Sequence, residues 1–464
     1  MALIESGYLF LVLVGLLLAV RIIGWRHVAN ISSPAFWFLS SIGVAYFLRP
    51  LIFFLNDDWL EWHLTRLPSF DEIGLKYGLF IALCLAAFAL GYGRSQEMSA
   101  YVRVGREKFF YGARKITIAV ILAFVFFGYL LTIWYRPLPF FGEGVQMVRD
   151  STGGAVYLET SGYLANASYV IPNCGLLYYA VSGNLWGTFL LVGPWFLCQF
   201  YYGWGRGFFL LFLVGLLGMA GLYQGVFKNR RRQMTLIAAA ILVVLPILAV
   251  LGHNRYFFRQ GLQSKEMLQQ FEEAQGRWSS SRGSDLLGFT NSAFYLYHSG
   301  NTFPHAYCRP FLYSIFIQGI PRVLWKNKPL PQDLDPQVGA PIGMAPGPVG
   351  SVYHQLGWLG FLLFLFHGWW IKRVAVRLAN LDRPSLFAGF GFLLCFPVYM
   401  ADFIWVPNLA FFLGPALAVY LVERHFLVAP ETVPRPKAIK PHGLRWEKKT
   451  GKPLPWAQQP ERDF

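Results

Sequence analysis

The sequence predicts an all-α polytopic membrane protein with about 11 transmembrane helices and one large, partly helical extracytoplasmic loop. Three features of the 464-residue chain predict this class: 55% of its residues are hydrophobic, 18% are aromatic and only 14% are charged. Soluble domains carry about 25% charged residues, so this chain has too little polar surface to cover its apolar residues in water. The cysteines are scattered without CxxC spacing, so neither a disulfide framework nor a zinc site is expected.

The predicted spans are apolar runs of about 20 residues, the length that crosses a hydrocarbon core of about 30 Å. They cover residues 4–20, 34–55, 73–93, 116–135, 163–181, 186–202, 207–227, 234–251, 349–371, 385–400 and 403–422. The first run lacks a small-residue cleavage site, so we expect it to be retained as a span. The chain then divides into a first block of spans (residues 1–251), an extracytoplasmic loop domain (252–348), a second block of spans (349–422) and a basic tail (423–464).

The charge pattern predicts an orientation. Lysine and arginine concentrate in one set of connections, which comprises Arg21 and Arg26, residues 94–115, the KNRRR segment from Lys228, residues 372–383 and the tail. The positive-inside rule places this set in the cytoplasm, with the N-terminus outside and the C-terminus inside. The same rule explains the net charge of +16 without nucleic acid, so no nucleic-acid partner is expected.

Residues 252–348 have two possible interpretations. Long loops escape the positive-inside rule, so this segment could be a small soluble domain with a mixed surface. Alternatively, its basic residues form an anion-binding site, because they alternate with aromatic residues and prolines rather than with acidic residues.

Several arginines near the predicted span ends could bind phosphate. Arg206 lies in GWGRG, where glycines allow close approach of a ligand. Arg255 and Arg259 in HNRYFFRQG have the i, i+4 spacing that places two guanidinium groups on one helix face, where each can grip phosphate oxygens in a bidentate manner. Arg322 and Lys328 in GIPRVLWKNKP lie beside a tryptophan. Anchoring at the membrane interface is the alternative role for all of them.

Candidates for proton transfer and metal binding are fewer. His253, His305 and His354 lie in or beside the long loop, where each could accept a proton near neutral pH or serve a structural role. Asp333 and Asp335 form a DLD motif, but the flanking prolines favour a turn, so no metal site is expected. Walker, HExxH and GxSxG motifs do not occur.

Four segments in order resemble the bacterial O-antigen polymerase (oligosaccharide repeat unit polymerase) family. They are GWGRG at 203–207, HNRYFFRQG at 253–261, IPRVLWKNKP at 320–329 and GSVYHQLGWLGFLLFLFHG at 350–368. A common form of the family has an acidic residue after the first glycine of the last segment, where this chain has Ser351, so a carboxylate base is not carried over.

The resemblance implies a GT-C-like glycosyltransferase of the bacterial inner membrane that needs no cofactor. Its substrates would be oligosaccharide repeat units linked to polyprenyl diphosphate, and a chain-length regulator is a possible partner. Arg206, Arg255, Arg259 and Arg322, with Lys328 secondary, would stabilise the leaving diphosphate. His305 or His354 would be the base. Ligase-type glycan transfer, a flippase and a non-enzymatic assembly protein remain alternatives.

Overall fold

A computed structural model describes residues 3–56, 67–93, 114–135, 147–149, 155–157, 167–201, 206–223, 288–309, 325, 347–379, 383–394 and 406–426. The helices are α1 (Leu3–Ile23), α2 (Trp25–Val28), α3 (Pro34–Gly43), a π-helical segment (Val44–Leu48), α4 (Arg49–Asn56), α5 (Phe70–Tyr92), α6 (Arg114–Tyr135), α7 (Val170–Ser182), α8 (Leu185–Tyr201), α9 (Arg206–Tyr223), α10 (Gly288–His298), α11 (Gly347–Leu356), a 3-10 turn (Gly357–Gly360), α12 (Phe361–Ala379), α13 (Pro384–Leu394) and α14 (Val406–Phe426). Strands β1 (Met147–Arg149) and β2 (Ala155–Tyr157) pair as an antiparallel hairpin.

Five helical stretches among these residues are long and apolar enough to cross a membrane. They are Leu3–Ile23, Pro34–Leu55, Phe70–Tyr92, Lys115–Ile133 and Gly347–Ala379. The predicted class of all-α membrane protein is therefore confirmed. The count of about 11 spans stays a prediction, since four other apolar stretches among the described residues are only 10–17 residues long and the predicted span at 234–251 lies outside the described residues.

The second of these stretches begins at a well-defined cap. Ser33 accepts a hydrogen bond from the Ala35 amide at 3.3 Å, and Pro34 occupies the first helical turn, where its missing N–H is not needed. The Ser33 hydroxyl also lies 3.1 Å from that of Tyr92, at the end of α5. Aromatic contacts continue the pairing of α5 with the α3–α4 helix, because Phe38 stacks on Phe88 at 3.6 Å. These two helices are therefore antiparallel.

Helices α1, α5 and α12 run parallel to one another. The Tyr8 ring of α1 lies 5.5 Å from Tyr77 of α5. On α12, His367 lies against Phe88, and a Cβ on Gly91 would overlap the carbonyl oxygen of Leu365, so the backbones of α5 and α12 approach closely. We call the end of this bundle at which α1 and α5 begin the Leu3 end, and the opposite end the Ile23 end.

Two large hydrophobic cores and a small cluster of Phe294, Tyr295 and Phe303 form in the described part of the chain. The first joins α1, α3, α4, α5, α10, α11 and the start of α12. The second joins α6, α7, α8, α9, α13, α14 and the end of α12. Helix α12 therefore contributes to both cores.

Helix α10 lies inside the first core, although it belongs to the segment predicted as an extracytoplasmic loop domain. Its Phe289 ring packs 6.1 Å from Phe70 and 6.1 Å from Phe54, which places this helix at the Leu3 end of the bundle. Ala293 and Leu296 are also fully buried there. The proposed domain boundary at residues 348 and 349 falls within α11, which packs against α10.

Candidate functional site

Buried tyrosines hold the α10–α11 pair in the bundle. The Tyr46 hydroxyl lies 2.8 Å from the Ser292 hydroxyl and accepts a hydrogen bond from the Val349 amide at 3.4 Å. Tyr77 donates to the Phe289 carbonyl at 2.7 Å, and Tyr8 donates to the Tyr46 carbonyl at 2.8 Å. Polar groups buried away from water are costly unless they are hydrogen-bonded, so these bonds favour this placement of α10 and α11.

Residues 299–309, which we call the histidine loop, follow α10 and stay bound to α11. The loop begins with a tight turn in which the Thr302 amide donates to the His298 carbonyl at 2.8 Å. It then pairs with the end of α11, because the amides of Ala306 and Tyr307 each donate at 3.0 Å to the carbonyls of His354 and Gln355. The loop is thus held by backbone bonds at both ends of its described path.

The His305 side chain has a defined orientation. Its Nδ1 atom lies 3.3 Å from the carbonyl oxygen of His354. A carbonyl oxygen only accepts, so Nδ1 must carry the proton in this bond, and the neutral ring then carries its lone pair on Nε2. Among the described residues no side chain hydrogen-bonds Nε2. His305 is half-buried, and Nε2 is the ring atom that can accept a proton.

Two glycines allow the His305 ring to pack closely against the backbone. Gly300 has φ +85° and Gly357 has φ +58°, conformations that favour glycine. A Cβ atom added to Gly300 would lie 2.8 Å from Nε2, and one added to Gly357 would lie 3.0 Å from it. Tyr307 and Cys308 nearby hold φ values of 48° and 60°, which non-glycine residues rarely adopt. Strained backbone of this kind concentrates at functional sites.

His354 is placed differently from His305. Its side chain is 1% exposed and lies between the rings of Tyr295 and Phe303, at 5.2 Å and 5.5 Å. Its Nδ1 atom lies 3.0 Å from the Ser299 hydroxyl. The two histidines predicted as alternative bases therefore come together in space, with His354 supporting the histidine loop and His305 presenting a ring nitrogen.

A third histidine, His298, ends α10 beneath the loop. Its Nδ1 lies 2.9 Å from the Thr302 hydroxyl, and its ring packs 4.3 Å from that of Phe294. Burial lowers the pKa of His298 below its ordinary value, because the charged form loses solvation. His298 therefore favours the neutral form.

The predicted phosphate-binding residues are mostly outside the described part. Arg206 is the first residue of α9. Arg255, Arg259, Arg322 and Lys328 lie outside the described residues, as do His253, Asp333 and Asp335. Within the described residues, no group of three or more histidine, cysteine, aspartate and glutamate side chains could hold a metal ion.

Lys76 of α5 is a site residue that the sequence analysis missed. Its Nζ lies 5.6 Å from the centre of the Tyr353 ring and 6.0 Å from that of Trp358. The centre of the His305 ring lies 5.8 Å from that of the same Tyr353 ring, so Nζ and the centre of the imidazole are at most 11.4 Å apart. A lysine inside an apolar run is the signal that could have identified it, since ionisable residues in spans are rare and often functional.

Comparison with known proteins finds no counterpart: no protein-family model, curated protein or solved structure matches the chain.

Proposed function

We propose that the chain is an integral membrane glycosyltransferase that joins polyprenyl-diphosphate-linked oligosaccharide repeat units into a polysaccharide. The observation that carries the proposal is His305, whose Nδ1 bonds the His354 carbonyl and whose Nε2 lies beside Gly300 and Gly357 without a hydrogen bond from a described side chain. A glycosyl transfer needs a base for the attacking hydroxyl, and a neutral imidazole with a free lone pair is suited to that role near neutral pH.

In the proposed reaction, His305 Nε2 accepts the proton of an acceptor sugar hydroxyl. The hydroxyl oxygen forms a bond to the anomeric carbon of the donor, and the bond from that carbon to the diphosphate oxygen breaks. The electron pair of the broken bond leaves with the polyprenyl diphosphate. Cationic side chains stabilise the charge that develops there, and the sequence supplies Arg206, Arg255, Arg259, Arg322 and Lys328 as candidates.

The distribution of charge supports an extracytoplasmic site. Several basic residues of the described helices lie at the Ile23 end, where Arg21 is in the last turn of α1 and Lys372 lies over the ring of Tyr92. The positive-inside rule then predicts that the Ile23 end is cytoplasmic. In our proposal the Leu3 end, with His305, faces the outside of a bacterial inner membrane, and the C-terminal tail is cytoplasmic.

The test is synthesis by the purified protein in nanodiscs, supplied with lipid-linked repeat units from cells that encode it. We expect a ladder of longer glycans, all still attached to polyprenyl diphosphate, and release of free polyprenyl diphosphate. Transfer of whole glycans to a different acceptor would instead indicate the ligase reaction. Movement of repeat units across the bilayer without any new glycosidic bond would indicate a flippase. Either result would contradict the proposal.

A further inference from the structure

Helix α8 contains a proline in its interior, Pro194. Proline has no N–H, so the Leu190 carbonyl loses the donor that a residue four positions later normally provides, and the proline ring crowds the same carbonyl. The Pro194 side chain is exposed, so packing against another helix does not explain why a proline is present. Its main effect is therefore on the backbone of α8.

The hydroxyl of Tyr129 bonds to the α8 backbone on both sides of this proline. It donates to the Leu191 carbonyl at 2.7 Å and accepts from the Trp195 amide at 3.3 Å. In a regular α-helix these two backbone groups are partners, because the amide of each residue donates to the carbonyl four residues earlier. One side chain of α6 therefore bridges a backbone pair of α8 that spans Pro194.

A second proline break in the chain is completed in a simpler way. Pro50 of α4 removes the donor for the Tyr46 carbonyl, and the Tyr8 hydroxyl donates to that carbonyl at 2.8 Å. Tyr8 thus replaces one missing donor and bonds to one backbone group. Tyr129 bonds to a carbonyl before the proline and to an amide after it, so it also joins the two halves of its partner helix.

The half of α8 that follows Pro194 is packed against neighbouring segments. The Trp195 side chain is fully buried, and its ring lies 5.6 Å from that of Tyr169. The next residue, Phe196, lies 5.0 Å from the Phe209 ring of α9. A change in the direction of α8 at the proline would therefore also displace α9.

We propose that residues 191–195 form a hinge in α8 and that Tyr129 locks it. While the hydroxyl bonds to both backbone groups, the two halves of α8 keep one relative direction. When the hydroxyl leaves, both groups lose this partner and the turn opens, because Pro194 has already removed the neighbouring helix bond. A displacement of α6 relative to α8 would release the lock. The hinge does not depend on the reaction proposed above, so its test needs no substrate.

An ordinary anchor between α6 and α8 is the competing role for Tyr129. An anchor acts whether or not residue 194 is a proline, whereas a lock is needed only while the proline breaks the helix. Pro194→Ala restores the missing N–H, and it removes little packing because the side chain is exposed. Tyr92→Phe is the matched control, since the Tyr92 hydroxyl also reaches another helix, 3.1 Å from that of Ser33, but in the first core.

The experiment measures hydrogen exchange of the purified protein in nanodiscs, followed in peptides that cover residues 191–198. Tyr129→Phe should speed exchange of these amides about 10-fold, as expected when a buried hydrogen bond is lost. Pro194→Ala should slow exchange there. Adding Tyr129→Phe to Pro194→Ala should then change it by less than about 3-fold, because the direct helix bond replaces the bridge. Tyr92→Phe should leave these amides unchanged in both backgrounds.

Equal acceleration by Tyr129→Phe in the two backgrounds would overturn the inference, because it would identify an ordinary anchor. Exchange that rises equally throughout α6, α7 and α9 would also overturn it, since the change would then be a loss of global stability. The Pro194→Ala variant keeps the test decisive if Tyr129→Phe folds poorly. Slower exchange at residues 195–198 in that variant, with other helices unchanged, supports a hinge, and unchanged exchange there contradicts it.

Discussion

The Nδ1 atom of His305 lies 3.3 Å from the backbone carbonyl oxygen of His354, although the two residues are far apart in the sequence. Because the acceptor is a carbonyl, the bond fixes both the tautomer and the ring orientation of His305. The same carbonyl accepts the Ala306 amide at 3.0 Å, so the position of the ring is tied to the backbone of α11. Replacing the His305 side chain leaves the backbone bond between the Ala306 amide and the His354 carbonyl in place, so the role of the side chain can be tested with the loop still attached to α11.

His305→Asn should abolish synthesis while leaving the protein folded. The asparagine amide can still donate to the His354 carbonyl, but it has no atom in place of Nε2. General-base catalysis contributes about 10²- to 10⁴-fold in rate, so we expect a loss of that order in the nanodisc assay.

His27→Asn is the matched control, because His27 lies in α2 next to the Ile23 end. It should retain near-normal synthesis. A His305→Asn protein that polymerises at the wild-type rate would remove His305 from the mechanism.

His354→Ala should act through stability. The imidazole is 1% exposed, contacts two aromatic rings and lies 3.0 Å from the Ser299 hydroxyl. Its removal leaves a cavity and an unsatisfied hydroxyl, and a buried polar group left unpaired costs about 1–3 kcal/mol. Thermal unfolding in detergent should show a lower Tm for His354→Ala and an unchanged Tm for His305→Asn. Equal Tm values for wild type and His354→Ala would show that the loop does not depend on this side chain.

The long apolar helices were predictable because hydropathy is a local property. The apolar runs at 4–20, 34–55, 73–93 and 116–135 correspond to helices whose ends differ from them by only a few residues. The break in the run at 349–371 was not predicted. It depends on Gly357, whose φ of +58° ends α11 and lets the chain turn into α12.

The sequence identified the two histidines of the candidate site, but it did not predict that α10 is buried. Thr290, Asn291 and Ser292 give α10 a polar sequence, which favours an exposed loop, yet all three side chains are at most 2% exposed. The Ser292 hydroxyl is satisfied by Tyr46, which is distant in sequence, so no local pattern indicates its burial. The chemistry of histidine was enough to name His305 and His354 as candidate bases. The contacts that give the two residues different roles join segments far apart in the sequence, so the sequence alone does not reveal them.

Charge placement predicts which side of the membrane each end of the bundle faces. In a cysteine-free background, a membrane-impermeant maleimide added to intact cells should label Asn301→Cys in the histidine loop and spare Trp25→Cys at the Ile23 end. Both positions are exposed, so accessibility does not favour either one. Permeabilised cells should label both. The reverse pattern in intact cells would place His305 in the cytoplasm and contradict an extracytoplasmic polymerase.

The arginines named from the sequence should stabilise the leaving diphosphate without a metal. Arg→Ala at Arg206, Arg255, Arg259 and Arg322 should each slow polymer formation by about 10²- to 10³-fold, the loss seen when one electrostatic stabiliser of a transition state is removed. Arg→Lys should restore part of the rate, because a point charge cannot reproduce the bidentate grip of a guanidinium group. EDTA should leave the wild-type rate largely unchanged.

Arg377→Ala is the control for these variants, since this exposed arginine lies on the last turn of α12 at the Ile23 end. It should retain near-normal rate and polymer length, which are measured with the same lipid-linked repeat units. Near-normal synthesis by well-folded alanine variants at all four arginines would assign them to interfacial anchoring. Activity that disappears with EDTA and returns with Mg²⁺ or Mn²⁺ would instead restore Asp333 and Asp335 as candidate metal ligands, because carboxylate oxygens are the ligands these ions prefer.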